Sequence, residues 1–217
     1  MQIRDLGLIQ YRDAWAIQEE LHAAVLAGGE EHLLLLEHTP VITFGRRAAD
    51  SARNLLASRE RLAEMGVEVV ESDRGGDITF HGPGQLVAYP ILNVAARGMT
   101  PAGYVHRLED VVIATLARFG LDAVKDREAP GVWLATSRGE AKVCAVGVRI
   151  RRGVSLHGIA INHSTELRYF DLINPCGLGR AVTSLTAFLH EMAPTVRALK
   201  QAVSEEMRAA FDPPAAE

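Results

Sequence analysis

Apolar residues recur every three or four positions in several stretches of the chain, a spacing that predicts amphipathic helices. Such helices are predicted over Asp13–Ala27 and Arg53–Met65, and a glycine follows each of them within a residue. The strongest helix signal begins after Thr100, a residue that can cap a helix N-terminus, and ends at Gly120. A last helical pattern covers Thr195–Phe211.

Between these helices lie short apolar or alternating stretches that predict β-strands. They read "HLLLLEH", "PVITFG", "VEVVE", "LVAYPIL", "GVWLAT", "AKVCAVGVRI" and "VSLHGIAIN", and Pro90 in the fourth argues for an edge strand or a bulge. The turns "SRGE" and "RRG" join the last three strands as hairpins. The expected fold is therefore α/β or α+β, with a mixed, largely antiparallel sheet packed by helices.

The length and composition predict an ordinary soluble globular protein with one domain over residues 1–217. The last residues, "DPPAAE", are expected to form a loose tail. The net charge of −4 gives no reason to expect nucleic-acid binding, and no apolar run approaches the roughly 20 residues of a membrane helix. The start "MQIRDLGLIQ" lacks the apolar core of a signal peptide. Two cysteines without such a signal favour a reducing, cytoplasmic setting, and their spacing gives no metal site.

The segment Arg74–Gln85, "RGGDITFHGPGQ", concentrates glycines around an arginine and a histidine. Such a loop lets the backbone approach a ligand closely, and it can equally be a bulged hairpin. It is neither a Walker loop, because no Lys-Ser/Thr follows the glycines, nor a dinucleotide fingerprint. His81 taken alone is more typical of a structural histidine than of a catalytic one.

Strand alternation in "AKVCAVGVRI" predicts that Lys142, Cys144, Val146, Val148 and Ile150 share a face. Because four of the five are apolar, that face is expected to cover the core, with Lys142 at its edge. Desolvation there would lower the pKa of the lysine and let it accept a proton, whereas a lysine at the strand end would instead extend to water. Cys144 is expected to be a buried, inert thiol.

Cys176 lies in the turn "NPCGLGR", where glycines leave room for a substrate and free amides that could stabilise an oxyanion. A thiolate there needs a basic partner, and the candidates are Lys142, His81, His157 and His163. No protease signature surrounds this cysteine. A separate cluster of Arg149, Arg151 and Arg152 at a hairpin tip is either a solvated face or a docking patch for an acidic partner.

Five segments in order, "RGGDITFHGPGQLVAYPIL", "AKVCAVGVRI", "SLHGIAIN", "FDLINPCGL" and "VTSL", resemble the lipoate-biosynthesis octanoyltransferases, the octanoyl-[acyl-carrier-protein]:protein N-octanoyltransferases of the lipoyltransferase B family. The resemblance runs from about Leu33 to Leu185. It implies the fold of biotin- and lipoate-protein ligases. It also implies transfer of octanoyl from acyl carrier protein to lysines of lipoyl domains, in E2 subunits of 2-oxoacid dehydrogenases and in the glycine cleavage H protein.

The resemblance further implies that Cys176 is the acyl-thioester nucleophile and that Lys142 activates it, without a cofactor or a metal. Cys144 departs from the small non-thiol residue expected beside the lysine. The residues matching the acyl-binding walls are Arg74, Gly75, Gly76, Asp77, Ile78, Thr79, Phe80, His81, Ala145, Val146, Gly147, Gly158, Ile159 and Ala160.

Three other functions stay open at this point. An ATP-dependent lipoate- or biotin-protein ligase of the same fold would adenylate a free acid and would not use Cys176. A catalytically silent lipoyl- or carrier-binding module would never form a covalent acyl adduct. A cysteine hydrolase would release free octanoate.

Overall fold

The computed structural model describes residues 1–46, 54–126, 129–137, 139–174 and 180–212. The strands are β1 (Gln2–Ile9), β2 (His32–His38), β3 (Val41–Phe44), β4 (Glu68–Glu71), β5 (Ile78–His81), β6 (Gln85–Ile91), β7 (Ala123–Lys125), β8 (Val132–Thr136), β9 (Gly139–Arg151) and β10 (Val154–Asn162). The α-helices are α1 (Tyr11–Leu26), α2 (Arg59–Glu64), α3 (Pro101–Ala117), α4 (Leu185–Leu189) and α5 (Val196–Phe211).

Two sheets form within the described residues. The larger has the order β1-β2-β6-β10-β9-β8-β7, and all its pairs are antiparallel except the parallel pair of β1 and β2. The smaller has the order β4-β3-β5, with a parallel and an antiparallel pair. The prediction of a mixed, largely antiparallel sheet packed by helices is confirmed.

Helices cover both faces of the larger sheet at β2. This explains why the sequence of β2 is a continuous apolar run. Leu33 and Leu35 pack on one side with α3 and α5, while Leu34 and Leu36 pack on the other against α1. Because neither face meets water, alternation with polar residues is lost. A cavity lies between β6, β9 and β10 of this sheet and β5 of the smaller sheet.

The structure differs from the predicted elements at several places, and β5, β7 and α4 are among the elements that were not predicted. Strand β1 was not predicted, and it precedes a first helix that begins at Tyr11. The second helix begins only at Arg59, because the Ser58 hydroxyl accepts a hydrogen bond from the Arg61 amide and caps it there. Leu55, expected to be helical, instead forms an antiparallel bridge with Ile173.

Pro90 lies near the end of a central strand, so the prediction of an edge strand is wrong. The ladder between β6 and β10 runs from Gln85 only to Ala88 and resumes at the bridge of Asn93 with Val154, so it is interrupted around Pro90, which has no amide hydrogen to donate. On the other side Pro90 still pairs with Leu33 of β2.

The predicted tail after Phe211 falls almost entirely on residues 213–217, which lie outside the described residues. In the ranges that are described, no helix combines the length and the apolar character needed to cross a bilayer.

Candidate active site

A cavity of about 220 Å³ opens between the larger and the smaller sheet. Lys142 lines it, and so do all the sequence-predicted binding residues except Phe80. The structure therefore brings together two regions that are far apart in the chain: the glycine-rich loop, and the hairpin of β9 and β10. At this size the cavity is smaller than the roughly 300–1,000 Å³ of drug-sized ligand pockets, which suits a narrow ligand.

Phe80 supports the cavity from behind instead of lining it. Its ring is buried and stacks on Tyr169, with the ring centroids 4.7 Å apart and the planes nearly parallel. A second ring, that of Phe170, meets it edge-on at 5.7 Å. Since Phe170 itself lines the cavity, Phe80 holds one of the wall residues in place.

The floor of the cavity is a groove made by small residues of the hairpin of β9 and β10. Ala145 pairs with Ala160, and Gly147 pairs with Gly158, so two alanines and two glycines lie opposite one another across the hairpin. On the opposite face Cys144 and Val146 pack into the core beneath α3. The two alanines and two glycines form a channel along the two strands, because they contribute almost no side-chain bulk to the cavity floor.

The alternation that placed Lys142 on the face of Cys144 is broken, so that prediction is wrong. Val132 of β8 pairs with Cys144 while the next residue, Trp133, pairs with Lys142, which leaves Val143 as an extra residue in a β-bulge. Both Val143 and Cys144 enter the core. The bulge turns Lys142 to the other face, where it lines the cavity.

Lys142 is held by several contacts at one end of this channel. Its ammonium group donates a hydrogen bond to the Pro130 carbonyl at 3.0 Å and lies 4.6 Å from the centre of the Trp133 ring. Its backbone bonds to the chain that follows Cys176: the Lys142 amide donates to the Ala181 carbonyl, and the Thr183 amide donates to the Lys142 carbonyl. Carbonyl oxygens and ring faces interact more strongly with a cationic ammonium than with a neutral amine.

Cys176 is in residues 175–179, outside the described residues. Both neighbouring stretches are described, and Asn174 and Arg180 line one second cavity, which shares Phe170 and Val182 with the first. The Asn174 amide is bonded to the Asn54 carbonyl. Arg180 lies 3.7 Å from the centre of the Trp133 ring and forms ion pairs with Asp126 and Glu140.

Arg74 fixes the glycine-rich loop from within. Its buried guanidinium donates to the Thr43 hydroxyl at 2.9 Å, and to the carbonyls of Thr43, Gly75 and Asp77 at 2.6, 3.0 and 2.7 Å. The loop is also pinned to β9, because the Gly75 amide donates to the Val148 carbonyl at 2.9 Å. A Cβ on Gly75 would lie 2.8 Å from that carbonyl oxygen, so only glycine allows this approach.

We expect Arg74→Ala to lower the free energy of unfolding by about 3 kcal/mol, because several buried carbonyls and a hydroxyl lose a charged donor. Urea unfolding followed by circular dichroism measures this loss. Arg74→Lys is the matched comparison: it keeps the charge but cannot reproduce the planar fork, so it should recover less than half of the loss. Equal stability of the Arg74→Ala and wild-type proteins would contradict this account of the loop.

Behind the cavity lies a cluster of buried aromatic and histidine rings that the sequence did not reveal. The Tyr11 ring stacks with the rings of His81 and His157, at centroid distances of 6.1 Å and 6.4 Å. His38 contacts the same tyrosine and donates or accepts a 2.8 Å hydrogen bond with the Tyr89 hydroxyl. The signal that could have been noticed is the tyrosine within the otherwise apolar run "LVAYPIL".

His157 reaches this cluster because of its backbone. It has a φ of 59°, in the left-handed region, which turns its side chain to the α1 side. There its Nε2 lies 2.7 Å from an Asp73 carboxylate oxygen, and its amide donates to the Gln18 side chain. Burial lowers the pKa of His157 despite that carboxylate, so at neutral pH the ring is uncharged and Nε2–H donates to Asp73.

His81 is held by a chain of side-chain amides. Its Nδ1 lies 2.7 Å from the Gln85 side-chain oxygen, the Gln85 amide donates to Asn162, and the Asn162 amide donates to the Thr183 carbonyl. Burial lowers the pKa of His81 well below its usual value. Since Thr183 is bonded to Lys142, these polar residues connect the histidine cluster to the lysine.

The neutral histidines predict acid destabilisation. Burial lowers the pKa of His38 to about 4, from 6.5, so between those two values the unfolded chain binds a proton that the folded protein excludes. Stability should therefore be full above pH 6.5 and should fall towards pH 4, by about 3 kcal/mol for this residue alone. Chemical unfolding at a series of pH values measures the slope of the unfolding free energy against pH. His38→Gln should reduce this slope without removing it, since burial also lowers the pKa of His81 and His157. A slope that His38→Gln leaves unchanged would refute this assignment.

The remaining candidates lie away from the cavity. His163 contacts the Pro194 carbonyl and the Ser164 hydroxyl, and Cys144 is fully buried, so that burial raises the pKa of its thiol to about 12. In the basic cluster, Arg149 is paired with Asp73 and Arg151 with Glu19. Arg152 is the member of that cluster that is exposed. Among the described residues no group of histidine, cysteine and acidic side chains could hold a metal ion.

Residues 10–208 match the family described as the lipoyl protein ligase A/B catalytic domain. The chain is 46% identical over 212 residues to an octanoyltransferase of Nitratidesulfovibrio vulgaris (strain Miyazaki F), a match that covers 97% of this chain and 94% of the relative.

Two solved structures show the same fold at low sequence identity. One is a bi-partite lipoate protein ligase and its E2 lipoyl domain from Thermoplasma acidophilum, with a TM-score of 0.73, 15% identity, and coverage of 97% of this chain and 84% of that one. The other is a lipoate-protein ligase A bound with ATP, with a TM-score of 0.74, 15% identity, and coverage of 97% and 85%. The predicted likeness to the biotin- and lipoate-protein ligase fold is therefore confirmed.

Proposed function

Because this chain belongs to the lipoyl protein ligase A/B catalytic-domain family and is an acyltransferase of the octanoyltransferase type, we propose that it moves octanoyl from acyl carrier protein to a lysine of a lipoyl domain. The transfer passes through a thioester on Cys176. We propose that it does so in the cytoplasm, as a single catalytic domain over residues 1–217, without a nucleotide or a metal.

The observation that carries the proposal is the close likeness to an octanoyltransferase over nearly the whole chain. The ATP-bound ligase shares the fold at only 15% identity, so it supports the architecture and not the reaction. The cavity adds independent support: glycines and alanines of the loop and of the hairpin of β9 and β10 leave room in it, and Lys142 lines it. An octanoyl chain would gain roughly 0.8 kcal/mol per buried methylene in such a channel.

Chain connectivity supports the pairing of Cys176 with Lys142. Cys176 is two residues from Asn174, so their Cα atoms are at most about 7–8 Å apart. Asn174 and Val182 line the same second cavity, and Val182 forms a bridge with Lys142 itself. The lysine charge, beside a carbonyl and a ring face, would stabilise a thiolate by attraction, which increases the fraction of active nucleophile.

The chemistry then runs in two steps. The Cys176 thiolate attacks the octanoyl thioester of the carrier protein, and the carrier sulfur leaves as a thiolate that takes up a proton from water, so one thioester replaces another with little change in free energy. The neutral amine of the acceptor lysine next attacks the acyl-enzyme, loses a proton and displaces the Cys176 sulfur. An amide is far more stable than a thioester, which makes the second step effectively irreversible.

The proposed acceptor of the octanoyl group, a lipoyl domain, is inferred from the partner of a structurally similar ligase. A ligase of this fold is known together with its E2 lipoyl domain, which supports lipoyl domains of E2 subunits as acceptors here, and by the same chemistry the glycine cleavage H protein. For the acidic carrier protein, the cluster of three arginines is weaker than the sequence suggested, because Arg149 and Arg151 are already ion-paired. We assign the docking contribution of that hairpin chiefly to Arg152.

The alternative is an ATP-dependent lipoate- or biotin-protein ligase, whose fold is shared. Incubation with octanoyl carrier protein and apo lipoyl domain, without ATP, separates the reactions. Octanoyl-lysine on the lipoyl domain is the expected product. Release of free octanoate identifies a hydrolase. A parallel incubation of apo lipoyl domain with ATP and free octanoate completes the test: product only there identifies a ligase, and no change in either incubation identifies a binding module.

A further inference from the structure

We infer that the closed end of the cavity, formed by Tyr89, His157 and the backbone of Gly75, sets the longest acyl chain that the enzyme accepts. The inference rests on the proposed function, in which the acyl carbonyl lies near Lys142. It adds a specificity role for Tyr89, a residue outside the predicted site.

The channel has a direction along the hairpin of β9 and β10. Lys142 lies at one end, and the floor then passes the Ala145–Ala160 pair and the Gly147–Gly158 pair. At about 3.3 Å per residue, the second pair lies roughly 7 Å beyond the first. Just past it, the hydrogen bond from the Gly75 amide to the Val148 carbonyl joins the loop to the strand and closes the channel. The methyl end of an acyl chain would therefore meet this closure.

Tyr89 and His157, at the closed end, are polar residues. Their polar atoms nevertheless bond to other side chains, away from the space that an acyl chain would occupy. The His157 nitrogens face Asp73 at 2.7 Å and the Tyr11 hydroxyl at 3.5 Å. The Tyr89 hydroxyl bonds to His38 at 2.8 Å. The carbon atoms of these two rings therefore remain to contact the acyl chain, and an apolar contact suits a terminal methyl group.

The wall is also rigid. The rings of Tyr89 and His157 meet edge-to-face with centroids 6.0 Å apart, and both side chains are almost fully buried. On the loop side, the hydrogen bonds of Arg74 fix the Gly75 carbonyl. A close-packed wall cannot retreat to admit extra methylenes, so it gives a sharp limit of length.

Gly147 offers a way to move this limit. A Cβ at this position would lie 3.2 Å from the Gly75 carbonyl oxygen and 3.4 Å from Arg74 Cδ, so a methyl group would occupy the closed end. Gly147 is not among the residues with positive φ, so its backbone conformation is open to alanine, while the 3.2 Å contact requires the loop to shift by a few tenths of an ångström. Gly147→Ala should shorten the channel, and Tyr89→Leu should lengthen it.

The test measures enzyme acylation by intact mass, using acyl carrier protein loaded with chains of six, eight or ten carbons. Gly147→Ala should lower the eight-to-six rate ratio about tenfold relative to wild type, and Tyr89→Leu should raise the ten-to-eight ratio by a similar factor. Tyr89→Phe keeps the ring and loses only the hydroxyl, so it should keep the wild-type ratios even where its rates fall.

Rates that fall equally for all three chain lengths in Gly147→Ala and Tyr89→Leu would overturn the inference, because such a loss reports only damaged folding. So would unchanged ratios in both variants. Failure of the proposed function looks different: the wild-type enzyme would then form no acyl adduct with any of the three donors.

Discussion

Replacing Cys176 with serine is expected to lower octanoyl transfer by about 10³-fold or more, the largest effect of any single substitution. The reason is that a serine hydroxyl stays protonated near neutral pH, whereas a cysteine thiol with a usual pKa of about 8.5 is readily converted to thiolate beside a cation. The measurement is the initial rate of octanoyl-lysine formation on the lipoyl domain, with carrier protein at saturation.

Cys144→Ala is the matched control for a lost thiol. Cys144 is buried in the core, and burial raises the pKa of its thiol to about 12, so it cannot supply the nucleophile. This variant should lose some stability through its small cavity but should retain acyl-enzyme formation. Transfer that survives in Cys176→Ser, or that disappears in Cys144→Ala while the protein stays folded, would contradict the assignment of Cys176.

The second large effect is expected from Lys142→Ala, which should slow acylation of the enzyme by about 10²–10³-fold. Without the ammonium group, the pKa of the Cys176 thiol should rise towards its unperturbed value of about 8.5. Between neutral pH and that value, alkylation of Cys176 by iodoacetamide should therefore slow, and the midpoint of its pH profile should move upward.

Lys200→Ala controls for the loss of a lysine elsewhere, since Lys200 forms an ion pair with Asp5. Its alkylation profile should match that of the wild type. An unchanged profile in Lys142→Ala would refute activation of the thiol by this lysine. A profile that shifts equally in both variants would show an effect of net charge only.

The sequence predicted the fold class because its main signals are local. The apolar run of β2 predicted a strand, and Thr100 and Gly120 marked the ends of a long helix where capping and chain reversal require such residues. Strand β1 was missed because its exposed and half-buried residues do not alternate, and a register shift near Gly7 interrupts its pairing with β2.

The candidate site was harder to predict from the sequence, because two of its features depend on irregular backbone conformations. The bulge at Val143 turns Lys142 from the core face to the cavity, and a period of two residues cannot reveal an extra residue. The left-handed conformation of His157 is similarly invisible, since it is a non-glycine residue within an apolar strand. The wall residues of the glycine-rich loop were found through their resemblance to a family, not through their periodicity.

The central claim is that octanoyl passes through Cys176, and intact mass spectrometry tests it most directly. The enzyme is mixed with octanoyl carrier protein in the absence of ATP, its mass is measured, and apo lipoyl domain is then added. The account predicts an increase of one octanoyl group that maps to Cys176 and disappears as the lipoyl domain gains the same mass. Transfer to the lipoyl domain with no enzyme adduct, under conditions that trap thioesters, would contradict it.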